Sequence, residues 1–277
     1  MSKTLVEATK AFEEKKLNKS ISLFREILSD DPRNKTAIFY SCLIYHQLKK
    51  WGLCKKIALD YLKFHGKNEE ILEVLGDVYY FEGDYLKSIK TYSTALKSAS
   101  AGESKERIQD KLNKTKNRQE SSKSQTKLAL VVAEGSDSFT DDIVEGLSNY
   151  FWVRKFTVAK NRTRFHSLLV KSLSRNILSK SLYKLLLKLC PSILKKAMKW
   201  SDIICVEWAS NEAVAASYLK NKSKKLFIRL HRYEAFEHYP FLIDWKNVDK
   251  IIFVSAFMKQ VLEDRGIKIN GEKSKVI

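Results

Sequence analysis

The sequence predicts two fold classes in one chain: an α-helical solenoid followed by a doubly wound, parallel α/β domain. Three observations predict it. Residues from Met1 to Gly102 repeat with a period of 34, and a fixed period of that size marks stacked helical hairpins. From Leu128 onward, short apolar runs alternate with helical patterns, the rhythm of a parallel sheet with helices on both faces. Between them, Gln119–Thr126 is polar and serine-rich, as a domain boundary should be. The 277 residues agree with about two domains of roughly 150 residues each. The predicted division is 1–118 for the helical repeats with a capping helix, 119–126 for a linker, and 127–277 for the α/β domain, with a basic helical insertion at 159–200.

Aligning Met1–Asn34, Lys35–Asn68 and Glu69–Gly102 brings equivalent residues together. The third repeat reads Leu72, Leu75, Gly76, Tyr79, Gly83-Asp84-Tyr85, Ser88, Tyr92 and Ala95. The second supplies Ile38, Ser41, Cys42, Tyr45, Cys54, Ala58 and Tyr61, and the first Ala8, Ala11, Ser20, Phe24, Ile27 and Pro32. Small residues at Ala8, Cys42 and Gly76 allow two antiparallel helices to approach closely. Aromatics at Tyr45, Tyr79 and Tyr92 fill the space between hairpins. A single hairpin cannot bury its apolar face, so about three are needed, and the last takes a polar capping helix. Glu103–Arg118 fits that role, with Ile108 and Leu112 four apart in a charged segment. The order of large residue, Leu-Gly, Tyr, small residue, aromatic and Ala resembles the tetratricopeptide repeat. That resemblance implies a concave groove for a protein or peptide partner and no chemistry of its own.

The second rhythm begins at Leu128–Ala133, a continuous apolar run with two valines, as in a strand buried on both faces. Glu134-Gly135-Ser136-Asp137 is a turn, and Phe139–Tyr150 an amphipathic helix. Further strands are predicted at Val153–Val158, Asp202–Val206, Lys225–Arg229, Lys250–Val254 and Ser274–Ile277. Helices are predicted at Asn211–Leu219 and Ala256–Arg265. Ligands of such sheets sit beyond the carboxyl ends of the strands.

Composition bounds the function classes. Apolar residues are 44% and aromatics 11%, which excludes wholesale disorder and collagen-like or disulfide-scaffold chains. Lys and Arg number 51 against 32 Asp and Glu, a net charge of +19. That excess favours an anionic partner. Cys42, Cys54, Cys190 and Cys205 form no CxxC pair and lie among apolar residues, so buried reduced thiols are expected. Met1-Ser2-Lys3-Thr4 opens a charged helical pattern instead of an apolar leader, and no run reaches the ~18 apolar residues of a spanning helix. A cytoplasmic location is expected, peripheral at the membrane face.

Four stretches carry a resemblance over about Lys127–Ile277. They are the strand and turn Leu128–Ser136; Trp200-Ser201-Asp202-Ile203-Ile204-Cys205-Val206-Glu207-Trp208; Leu226-Phe227-Ile228-Arg229-Leu230-His231-Arg232-Tyr233-Glu234; and Val248-Asp249-Lys250-Ile251-Ile252-Phe253-Val254-Ser255-Ala256-Phe257-Met258. With Lys275-Val276-Ile277 they resemble, in order and spacing, the N-terminal, acceptor-side domain of GT-B glycosyltransferases of the family-4 type. The resemblance implies a Rossmann-like fold and transfer of a sugar from a nucleotide-sugar to a glycan, lipid-linked or protein acceptor. It implies no tightly bound cofactor and no obligatory metal. It also implies a second domain that holds the nucleotide. The basic residues and Glu-x7-Glu segment of that domain have no counterpart here, so the chain reads as a fragment, inactive by itself.

His231 is the candidate catalytic residue. It ends a predicted strand, where doubly wound folds place function, and an imidazole there could orient a hydroxyl or relay a proton. Glu207 ends the preceding strand and could accept from a hydroxyl of the acceptor. Arg232 and Glu234 flank His231 as an ion pair or as acceptor contacts. Gly135 would let backbone approach a phosphate. His46, His65 and His166 carry no partner pattern, and no metal-ligand, P-loop or Ser-His-Asp motif is present.

Phe151–Trp200 contains 13 Lys and Arg and no Asp or Glu. Lys180, Lys184 and Lys188 recur every four residues and line one helical face; Lys195 and Lys199 repeat the spacing after Pro191. Leucines fill the other faces, which suits helices lying at an anionic bilayer or holding an anionic acceptor. Aromatics are not interleaved for base stacking, which argues against nucleic acid. The competing expectation is a non-catalytic adaptor whose repeats recruit a partner while the α/β domain docks on a membrane or anionic polymer.

Overall fold

The computed structural model describes residues 3–99, 102–134, 137–189 and 192–277. The chain divides into two compact units. One is Met1–Ser124 with Asp137–Glu145, the other Gln125–Ser136 with Gly146–Ile277.

The first unit contains α1 (Lys3–Glu13), α2 (Leu17–Asp30), α3 (Lys35–Gln47), α4 (Trp51–His65), α5 (Glu69–Phe81), α6 (Tyr85–Ser98) and α7 (Glu103–Ser122). The 34-residue period reappears in its hydrogen bonds. Asn34 and Asn68 cap α3 and α5, accepting from Ala37 N–H and Ile71 N–H, and Gly102 stands at the same place before α7. Lys15, Lys49 and Gly83, one period apart, have φ of 57°, 52° and 73°. Each ends a first helix in the left-handed region. The next residue's N–H then returns to the carbonyl five back, as in Lys16 to Ala11, Lys50 to Tyr45 and Asp84 to Tyr79, which closes the helix and turns the chain.

Within each hairpin a small side chain pins the crossing. Ser20 Oγ donates to the Ala8 carbonyl at 2.8 Å and Ser88 Oγ to the Gly76 carbonyl at 2.9 Å. Cys54 Sγ reaches the Cys42 carbonyl at 3.6 Å. A methyl group at Gly76 would overlap the Tyr92 ring, so glycine is required for that close approach. Phe24, Ile44, Cys54, Ala58 and Ile71 form a fully buried core. Ile108 and Leu112 of α7 form a further buried cluster with Leu72, Tyr92 and Ala95. This is a tetratricopeptide-like solenoid. Helix α7 runs on to Ser122, into the polar stretch read as a linker.

The second unit holds β1 (Lys127–Ala133), β2 (Trp152–Val158), β3 (Ile203–Glu207), β4 (Lys225–Leu230), β5 (Lys250–Phe253) and β6 (Ser274–Val276). They form one parallel sheet in the order β2-β1-β3-β4-β5-β6. The order reverses beside β1, the switch point of a Rossmann-like fold. Helix α8 (Asp137–Leu147) follows β1, two residues ahead of the helix read from the sequence. Three helices, α9 (Lys160–Ser174), α10 (Lys180–Leu189) and α11 (Ile193–Trp200), separate β2 from β3. Helix α12 (Asn211–Leu219) follows β3, α13 (Arg232–Phe236) and α14 (Tyr239–Leu242) follow β4, and α15 (Ala256–Asp264) follows β5.

The core joins sheet residues such as Ala129, Val131, Ile204, Val206 and Ile228 to Ala213, Val214, Ala216, Tyr183, Leu187 and Leu194 from the helices. Alanines let α12 lie close to β3 and β4. Two aspartates stitch the amino ends of the strands. Asp202 Oδ2 accepts from Lys127 N–H at 3.0 Å and Asp249 Oδ2 from Leu226 N–H at 2.8 Å. Cys42, Cys54 and Cys205 are buried and free; Cys190 lies outside the described residues. Among the described residues no helix is long and apolar enough to cross a membrane.

Candidate functional site

The carboxyl ends of β3 and β4 bring Glu207 and His231 together across 24 positions of sequence. Parallel pairing sets Glu207 opposite Arg229, and His231 follows the last residue of β4. Glu207 is buried, its side chain only 1% exposed. Its Oε1 lies 2.6 Å from His231 Nε2 and 3.5 Å from Arg229 Nη1. Its Oε2 is buried with no hydrogen-bond partner among the described residues. A desolvated carboxylate needs cationic or hydrogen-bonding neighbours, and Arg229 and His231 provide them on one oxygen.

The oxygen shared by His231 and Arg229 holds the imidazole in place. His231 remains accessible, with 23% of its side chain exposed.

His231 is also the N-cap residue of α13 and forms a capping box with Glu234. Glu234 Oε2 accepts from the His231 backbone N–H at 3.0 Å. Glu234 is buried, and burial holds its carboxyl above the usual range. Arg232 is exposed on the first turn of α13. Among the described residues no ion pair joins Arg232 to Glu234, which corrects the ion-pair alternative alone; Glu234 is used locally as a cap. Gly135 lies outside the described residues.

Two neighbours escaped the reading of the sequence. Arg229 looked like a strand residue, and only its register opposite Glu207 reveals its charge role. Trp208 follows Glu207 with φ of 70°, a left-handed backbone that a bulky residue adopts at a cost and that clusters at functional sites. Its ring centroid lies 5.5 Å from that of His231, tilted by 33°. Cys205, two residues earlier on β3, is pushed up to about 12 by burial, with the Glu207 charge adding to it, so it is an inert thiol.

The expected basic residues are distributed differently. Lys180, Lys184, Lys188 and Lys199 are exposed. Lys195 is half-buried, and its Nζ donates to the Lys188 carbonyl at the end of α10. Lys155, counted in the basic block, is buried on β2. Arg154 lies over the Phe156 and Trp200 rings.

The first unit holds a second polar cluster. Asp77 on α5 accepts from Tyr92 Oη at 2.6 Å and Lys111 Nζ at 2.7 Å, and lies 2.9 Å from His46 Nε2. His46 thus has a partner that sequence spacing did not show. Glu73, one turn away, takes both Arg107 nitrogens at 2.9 and 2.8 Å and Lys111 at 2.7 Å. Burial works to raise both carboxyls, yet these bonds leave Asp77 and Glu73 below their ordinary values. Arg107 and Lys111 each stand 34 residues beyond their acid. Opposite charges one period apart were the signal that could have revealed the pairs. Among the described residues no cluster of His, Cys, Asp or Glu is placed to hold a metal ion.

No known protein family matches the chain, and no curated protein matches it either. Solved structures do. The chain is similar to the first TPR of Spaghetti (RPAP3) bound to the HSP90 peptide SRMEEVD, at 14% identity and a TM-score of 0.39, over 42% of this chain and 90% of that one. It is similar to the P58(IPK) TPR domain at 16% identity and a TM-score of 0.41, over 79% of this chain and 51% of that one. It is also similar to the K341M mutant of the Thermobaculum terrenum O-GlcNAc transferase, at 10% identity and a TM-score of 0.39, over 99% of this chain and 73% of that one.

Proposed function

We propose that the α/β unit is the acceptor side of a sugar-transfer enzyme and that the helical repeats recruit a protein or peptide partner. The observation that carries this reading is the buried Glu207 bonded to an accessible His231 at the carboxyl ends of parallel strands. An imidazole held this way keeps a fixed orientation and can exchange a proton with an acceptor hydroxyl. The Trp208 ring beside it offers an apolar face to a sugar ring. The donor is a nucleotide-sugar held mainly by a second domain, whose basic side chains and helix N-termini would stabilise the departing diphosphate without an obligatory metal. The acceptor is a glycan, a lipid-linked sugar or a protein.

The test is direct ligand observation. Saturation-transfer NMR of the chain with a panel of nucleotide-sugars and oligosaccharides should detect at least one binder. His231→Ala and Glu207→Gln should each abolish that signal while circular dichroism stays unchanged. A signal that survives both substitutions removes these residues from the site.

A second reading has its own observation. His231 caps α13, so the Glu207–His231 bond also serves as a pin between β3 and the segment after β4. In that reading the chain is an adaptor. His231→Ala would then lower stability, and no member of the sugar panel would bind.

A further inference from the structure

Helix α10 carries three lengthwise stripes. Tyr183 and Leu187 are fully buried in the core of the α/β unit. Lys180, Lys184 and Lys188 are exposed. Leu182, Leu185 and Leu189 are exposed as well, at 45%, 51% and 70%. At 3.6 residues per turn the exposed leucines are centred about 150° around the helix from the buried pair, with the lysines at one side. Ile177, in the turn leading into the helix, is 73% exposed.

A helix that only packs on a core needs one apolar stripe. This one has a second, turned to solvent and bordered by lysines, in a segment without acids from Phe151 to Trp200. A polyanion in water would reward the lysines but not the leucines. An apolar protein groove would reward the leucines but not three unopposed charges. An anionic bilayer rewards both, since leucines enter the acyl boundary while lysines meet lipid phosphates. Lys195, bonded to the Lys188 carbonyl, and buried Lys155 take no part.

We propose that α10 docks the α/β unit on an anionic lipid surface, with Leu182, Leu185 and Leu189 inserted and Lys180, Lys184 and Lys188 at the headgroups. This inference does not depend on the sugar-transfer reading.

The experiment is co-sedimentation of the full chain with vesicles of mixed phosphatidylcholine and phosphatidylglycerol, and with phosphatidylcholine alone. Binding to the mixed vesicles only is expected. A lysine near an anionic surface contributes on the order of fivefold, so the Lys180→Gln, Lys184→Gln, Lys188→Gln triple variant should lose on the order of 100-fold. The Leu182→Gln, Leu185→Gln, Leu189→Gln triple variant should lose at least about tenfold. Leu185→Trp should add a blue-shifted emission component when mixed vesicles are present. His231→Ala should bind vesicles like the parent, which separates failure here from failure of the site above. Absence of binding to mixed vesicles overturns the proposal. So does a leucine variant that binds as tightly as the parent, which would make the face a polyanion site.

Discussion

Each unit buries carboxylates, and the two units use them differently. In the helical repeats Glu73 and Asp77 spend their oxygens on Arg107, Lys111, His46 and Tyr92. In the α/β unit Glu207 spends one oxygen on His231 and Arg229 and leaves the other buried without a hydrogen-bond partner among the described residues. A saturated network inside protein rigidifies; an unsaturated one is costly unless something else compensates. The first is the signature of architecture, joining α3, α5, α6 and α7. The second leaves one buried oxygen without that compensation.

Substitutions can break that comparison. The largest effect is expected from Asp77→Ala. It takes the shared carboxylate from His46 and the Tyr92 hydroxyl and leaves Lys111 with Glu73 alone, and breaking a buried charged network costs about 3 kcal/mol. Urea unfolding of the repeats should show it as a lowered midpoint. Gly76→Ala comes next, at about 2 kcal/mol, the range for overpacking. Tyr92 is 2% exposed and bonded to Asp77, so its ring cannot swing away. A thermal melt equal to that of the parent would mean that α5 and α6 can separate without loss.

Acid should distinguish the units by sign. Asp77 and Glu73 lie below their ordinary carboxyl values despite burial, because their cationic and hydroxyl partners outweigh it. Their folded values are below the unfolded ones, so the stability they add is present above about pH 4.5 and is lost as pH falls through the folded values. Glu234 is raised above 4.5, mainly by burial. Its contribution is full below the unfolded value and is lost as pH rises through the folded one. Amide hydrogen exchange between pH 6 and 3 should therefore show α5 losing protection on acidification, while Glu234 does not add to any loss at β4. Equal losses in both would contradict the assignment.

Glu207→Gln gives the smallest stability effect. The amide keeps a hydrogen-bonding oxygen and removes a buried charge, so a change below about 1 kcal/mol is expected. A loss as large as that of Asp77→Ala would turn Glu207 into a second architectural acid.

Much of the fold was legible because its signals are local and repeated. Tyr45, Tyr79 and Tyr92 marked hairpin packing, and Leu128–Ala133 marked a strand buried on both faces. Backbone geometry supplied detail that letters did not: Lys15 and Lys49 take the left-handed turn that Gly83 takes without side-chain strain. The candidate site was half legible. Glu207 and His231 were found because each ends an apolar strand. Their contact was not, since it depends on β3 and β4 being neighbours in the sheet. Arg232 attracted attention through adjacency in sequence, yet the register chose Arg229.

The sequence by itself determined the periods: 34 for the solenoid and strand-helix alternation for the sheet, because burial of an apolar face forces a regular spacing on the chain. Tertiary structure alone decided which charges meet. Asp77 with His46, Glu73 with Arg107, and Glu207 with His231 are separated by 31, 34 and 24 positions. Such pairs form only after packing has removed the water that would otherwise screen them, and no local pattern in the chain records that event.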